Sequence, residues 1–211
     1  MKRVFCEIQR HASAARLGFG VRKVGCISLF LDIVMGVLQG GVIMEAVAKE
    51  SSPLRLATEE AYPQGELPDG LMFEKLFLEK KNRKLTAYAA GKPVRVYLVS
   101  LGFEPVGHKE VQGDGKTPEG KYHIDGKNPH SAYYKNLGIS YPDDKARKNA
   151  QKLGKSPGGD IKIHGLAPSF AEIGEAHLLT DWTHGCIALT NPEMEELYTR
   201  TAVGTPIEIV P

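Results

Sequence analysis

At 211 residues the chain allows one main domain with an appendage, and it is long enough to bury a core without disulfide staples. Its 42% hydrophobic and 25% charged residues fit a globular protein, and 23 glycines with 13 prolines favour a turn-rich β structure over a helical bundle. The net charge of +2 hides an asymmetry: residues 1–23 hold six basic side chains against one acid, whereas residues 49–211 hold 21 basic and 22 acidic ones, so the body lacks the basic excess of a non-specific nucleic-acid binder.

After the basic stretch comes the apolar run VGCISLFLDIVMGVLQGGVIMEAVA, residues 24–48, interrupted by Asp32 and closed by Ala46-Val47-Ala48. Basic, then apolar, then small-x-small is the order of an export signal. The basic region is long for one, so three readings stand: a signal whose start lies further in, for instance at Met35; an uncleaved anchor with its basic end cytoplasmic; or an amphipathic helix packed on the body. Export is the expectation. Cys26 stands at the start of the apolar run, whereas a lipidated cysteine should follow it, which argues against lipidation. Residues 49–70, polar with three prolines and two glycines, read as a linker, and residues 71–211 as the functional domain.

From residue 71 the pattern turns to strands. The turns KKNRK and AAGKP separate apolar runs, and Val94, Val96 and Leu98 alternate with Arg95, Tyr97 and Val99, which predicts three antiparallel strands. GDGKTPEGKYHID reads as a loop entering a further strand, and residues 142–154 as a short polar helix ended by Gly154. In DIKIHG, Ile161 and Ile163 face one way and Lys162 and His164 the other. CIALT is another strand. NPEMEELYTRTAVG reads as a helix capped by Asn191, with Pro192 in its first turn and Met194, Leu197 and Tyr198 as its apolar stripe. TPIEIVP closes the chain as a strand. Many short strands with a late helix predict a mostly-β sandwich or barrel-like sheet.

Three cysteines occur, Cys6, Cys26 and Cys186, and the first two lie in the tail. If the tail is removed, Cys186 is alone, and a single thiol in an exported protein is either a buried, inert hydrophobe or a reactive group. Gly185 before it allows a sharp turn and close approach by substrate. The amides of Gly185 and Cys186 can then face one carbonyl oxygen. A free thiol has a pKa of about 8.5, which a nearby imidazole lowers. Of the histidines, His108, His123, His130 and His177 fall in loop or strand-edge contexts. His164 ends a strand on its polar side, and His184 stands two residues before Cys186.

The segment IHG at 163–165, with His164 22 positions before Cys186, and then THGCIAL resemble the L,D-transpeptidase catalytic domain of the YkuD type, whose signature is a histidine, a gap and Ser/Thr-x-Gly-Cys. The likeness extends over about residues 72–211 through VSLG, GDGKTPEGKY and GTPIEIVP. It implies a β-sandwich with the cysteine in a cleft, Cys186 as nucleophile, His164 as base, the carbonyl of Gly165 orienting the imidazole, and the amides of Gly185 and Cys186 holding an oxyanion. Thr183 matches the Ser/Thr position, and His184 is expected to form the pocket. The implied reaction is acyl transfer on peptidoglycan stem peptides: a thioester forms at the third-position diamino acid and passes to an amine or to water, with no metal or organic cofactor.

One position departs from the pattern. Many members carry arginine two residues after the cysteine, where this chain has Ala188. The DWT-x-GCIAL form looks like a branch that includes hydrolases of the peptidoglycan–lipoprotein link. Transferase and hydrolase therefore both stay open, with a peptidoglycan-linked lipoprotein as a second partner class. Lys162, Lys155 and Arg95 are alternative carboxylate partners. Two further readings stand beside these. One is a zinc site from His164, His177, His184 and Cys186, against which the lack of close-spaced ligand pairs argues. The other is a wall-binding module with an idle thiol.

Overall fold

A computed structural model describes residues 65–211. The basic and apolar tail and most of the linker, with the export expectation that rests on them, lie outside the described residues. Eight strands form one sheet: β1 (Lys75–Glu79), β2 (Lys84–Ala89), β3 (Lys92–Leu98), β4 (Gly120–Ser131), β5 (Tyr134–Ile139), β6 (Lys162–His164), β7 (Ile187–Ala188) and β8 (Pro206–Val210). Their order across the sheet is β3-β2-β1-β8-β4-β5-β6-β7. Two helices, α1 (Asp144–Lys152) and α2 (Asn191–Arg200), and a 3-10 segment at Pro168–Leu179 complete the domain.

The sheet curls because β4 serves both halves. Its first residues pair with β8 and the rest with β5, with a register shift between Ile124 and Gly126. Such a bulge bends a strand and lets it turn a corner between layers. Beyond β3, Ser100 bridges Ala188 of β7, so the first and last strands of the order meet. The two layers expected of a sandwich are thus halves of one curled sheet. Leu76, Leu78, Ile124, Leu137, Ile163 and Ile187 fill the interior with essentially no exposed surface, each contributing about 1.5–3 kcal/mol.

The strands and helices expected from the sequence are present, with differences that have physical causes. In β3 both faces are covered: Arg95, Tyr97 and, just past its end, Val99 are buried on one side and Val96 on the other, with Val94 and Leu98 half-buried. Arg95 and Tyr97 face inward because α2 meets them with Glu196: Arg95 Nη2 and the Tyr97 hydroxyl each donate to its carboxylate at 2.9 Å. Arg95 is therefore committed to the fold and is no carboxylate partner for substrate. The cap of α2 is Thr190, not Asn191, and the Thr190 amide donates to Glu193 at 3.2 Å in a capping box. Gly154 ends α1 as expected, with φ 63°. Strand β5 and the 3-10 segment carried no signal that the period-2 or helical patterns could catch.

Residues 65–70, read as linker, belong to the body's surface. Arg95 donates to the carbonyl of Gly65, and Arg200 donates to those of Leu67, Pro68 and Leu71. Among the described residues no helix is long and apolar enough to cross a membrane.

The loop between β3 and β4 is pinned from within. Lys80 is buried, and its ammonium donates to the carbonyls of Gly107 (2.6 Å) and Thr117 (3.0 Å) and to Glu119 (2.7 Å). Asp114 accepts from the amides of Glu110, Val111 and Lys116 and from Lys109 Nζ. These bonds set Lys116 against the turn that carries Cys186.

Candidate active site

His164 ends β6. Ile161 and Ile163 enter the core, as the alternation expects, and Lys162 and His164 project from the other face. Strands β6 and β7 are parallel, with Ile163 level with Ile187 and His164 level with Ala188. Carrying that register back along the chain sets Cys186 beside Lys162. Residues two apart in a strand share a face, so His164 and Cys186 are diagonal neighbours on one face.

The ring of His164 is fixed from three sides. Its Nδ1 lies 2.7 Å from the carbonyl oxygen of Gly165. A carbonyl can only accept, so Nδ1 carries the proton and Nε2 presents a lone pair. Tyr133, at the β4–β5 turn, lies over the ring at 4.8 Å between centroids, and Trp182 meets it edge-on at 5.8 Å. Behind it the Gly165–Leu166 turn is held by Asn191, whose Oδ1 accepts from the Leu166 amide at 2.7 Å. A Cβ at residue 165 would stand 2.5 Å from that same oxygen, so a side chain there would displace the Asn191 amide.

Cys186 is half-buried and follows a strained turn. Gly185 has φ 127°, and a side chain there would come within 2.6 Å of the Lys116 carbonyl. Thr183 is buried and closes the turn: its hydroxyl donates to the Cys186 carbonyl at 2.7 Å and accepts from the Gly185 amide at 3.1 Å. The Gly185 amide, expected to hold an oxyanion, thus has a partner within the turn, and Thr183 shapes that turn.

The sulfur lies 3.7 Å from the Asp160 carbonyl and accepts from the backbone amide of Lys162. Burial pushes the thiol pKa up, and the Lys162 amide offsets this in part. Burial pulls the His164 pKa down, the Gly165 carbonyl opposes it, and the Lys162 charge adds to the lowering. Both shifts favour uncharged forms. The help that the sequence reading expects an imidazole to give the thiol is therefore opposed by burial at both groups.

His184 is exposed. With Lys109, Gln112, Gly113, Gly158 and Gly159 it lines an open groove of about 280 Å³, and its ring meets Phe103 edge-on at 5.5 Å. Gly159 of its lining is followed in the chain by Asp160, whose carbonyl is the thiol's hydrogen-bond partner. Lys162 is paired with Asp160 at 2.7 Å, and Lys155 is exposed. His108 accepts from the Glu119 amide at 2.9 Å, and His123 and His130 are exposed. His177, expected in a loop-like context, is buried against Ser100. Among the described residues no three His, Cys, Asp or Glu side chains gather to hold a metal ion. Sequence reasoning did not single out Tyr133, Trp182 or the Asn191 bond to Leu166. Trp182 and Asn191 flank the cysteine segment, and that proximity was the one available signal.

A curled β-sheet with a histidine and a glycine-turned cysteine on one face of neighbouring strands defines a thiol-bearing cleft domain. The L,D-transpeptidase catalytic domain family, YkuD, matches residues 75–209, and the chain belongs to that family. Comparison with curated proteins returned no match. Among solved structures the chain is similar to the helical cell shape determining protein Pgp2 from Campylobacter jejuni, at 25% identity and TM-score 0.48, over 66% of this chain and 48% of that one. It is also similar to Bd1075 of Bdellovibrio bacteriovorus (22%, 0.46, over 68% and 49%) and to an L,D-transpeptidase from Xylanimonas cellulosilytica (16%, 0.44, over 74% and 68%). The chain spans about half the length of the first two.

Proposed function

We propose that the domain is a cell-wall enzyme that performs cysteine-dependent acyl transfer on peptidoglycan stem peptides. The observation that carries this reading is the His164 ring, held as the Nδ1–H tautomer by Gly165, on a strand whose register sets it on the same face as Cys186. A neutral imidazole in that state is ready to take a proton.

As a stem peptide enters the groove beside Asp160, the Cys186 thiol gives its proton to His164 Nε2. The sulfur attacks the carbonyl carbon of the third-position diamino acid. The Cys186 amide is the donor left for the oxyanion, since the Gly185 amide is held by Thr183. Collapse breaks the bond to the fourth residue, whose nitrogen leaves with the proton from His164, and a thioester remains. An amine from a second stem resolves it with transfer, and water resolves it with hydrolysis.

A second reading, hydrolysis of the same linkage or release of a linked lipoprotein, is favoured by one observation. Ala188 offers no cation to the cleft, and Arg95 and Lys162 are paired within the protein. On either reading the protein works in the cell envelope. Incubation with purified stem peptides and mass analysis of the products tests the proposal. A stem–stem adduct marks the transferase, loss of the fourth residue or release of a linked peptide marks the hydrolase, and unchanged substrate contradicts both.

A further inference from the structure

A second buried histidine lies near His164, and the reaction above does not use it. His177 sits in the Pro168–Leu179 segment with 1% of its surface exposed. The Ser100 hydroxyl donates to the His177 carbonyl at 2.8 Å, so its oxygen accepts from Nδ1–H of the same histidine at 3.1 Å. That assigns the proton to Nδ1 and leaves Nε2 as a buried lone pair without a hydrogen-bond partner.

The sheet brings this residue to the site. Ser100 exchanges both backbone hydrogen bonds with Ala188, at 3.0 and 2.9 Å, and Ala188 stands level with His164. Residues level across a sheet project to the same face. His164, Ala188 and Ser100 therefore form a row whose middle member is a single methyl group. The His177 imidazole is anchored at the Ser100 end of this row, and a charge on His164 disfavours one on His177.

We propose that His177 is a positioning residue: docked on Ser100 and lying over Ala188, it forms the back wall against which the His164 ring is held, and it keeps water from behind that ring. The inference rests on the reading of His164 as the base. The titratable groups around His164 are Lys162 on its own strand, Tyr133 at the β4–β5 turn, Cys186 before β7, and His177, which Glu175 faces in turn. Burial is the largest cause holding His164 below the ordinary histidine range, so opening the back wall relaxes it upward.

The test is the rate at which iodoacetamide alkylates Cys186 as a function of pH, read by peptide mass to separate it from Cys6 and Cys26, with a melting curve on each sample. In Ser100→Ala and His177→Ala the midpoint of the His164-dependent limb rises toward the ordinary histidine range, and the rate at neutral pH falls about tenfold or more. His177→Asn keeps a donor for Ser100 and restores much of both. An unmoved midpoint in whichever variants fold overturns the proposal, even with a lower melting temperature. Failure of all three to fold also overturns it, making His177 a core strut. His164→Ala is the reference. If it leaves the profile unchanged, the base assignment falls; if the profile responds to it and not to the other variants, the positioning role alone falls.

Discussion

Asn191, the first residue of α2, holds the backbone that orients the base: its side-chain oxygen takes the Leu166 amide at 2.7 Å, one residue beyond the carbonyl that grips His164. Asn191→Ala leaves that amide without its partner, at a cost of about 1–3 kcal/mol. Urea denaturation should show the loss, and turnover should fall with it because the Gly165 carbonyl is freed. Thr190→Ala, which removes the capping box, should cost about 1 kcal/mol and leave turnover near that of the parent. Equal effects of the two on turnover would contradict the orienting role.

Thr183 makes two bonds with one hydroxyl, and both shape the turn at Cys186. Thr183→Val should destabilise by about 2 kcal/mol and reduce Cys186 alkylation, and Thr183→Ser should retain both properties. Melting curves and alkylation rates measure the pair. Wild-type behaviour of the valine variant would remove the clamp from the account.

Gly185→Ala meets the Lys116 carbonyl and an unfavourable φ, a cost of about 1–3 kcal/mol. Gly65→Ala, with open space around it, is the control and should be near neutral. Denaturation midpoints separate them. A tolerated alanine at 185 would mean that the turn can relax.

Stability should fall on mild acidification. His177 is pushed down to about 4, mainly by burial, and His164 is lowered from the usual 6.5 for the same reason. Between those values the unfolded chain binds more protons than the folded one. Stability is therefore full above pH 6.5 and is lost as pH falls toward 4, by on the order of 3 kcal/mol from His177. Denaturation at steps across this window checks the slope. His177→Leu should flatten it, and an unchanged slope would contradict the buried neutral assignment.

The strands were legible where one face is apolar and turns punctuate the chain, as in β1, β2 and β8. They were illegible where contacts override the pattern. Arg95 reads as an outward polar residue, yet it turns in because Glu196 waits on a helix a hundred positions away. Asn191 has the right chemistry to cap α2, but its oxygen is taken by Leu166, so Thr190 caps instead. The candidate site was visible as a motif, with its histidine, its cysteine and the glycines around them. Its electrostatics were not, because burial shifts both pKa values toward the uncharged forms, and the contacts around the two side chains come from Tyr133, Trp182 and the Asp160 carbonyl.

The central claim is that Cys186 forms an acyl link to a stem peptide with His164 as its base. Intact-protein mass spectrometry after rapid acid quench, with purified tetrapeptide stems as substrate, addresses it directly. The account predicts an adduct of the tripeptide acyl mass on Cys186, absent in Cys186→Ser and strongly reduced in folded His164→Ala. An adduct on another residue, or one of equal yield without His164, would contradict it.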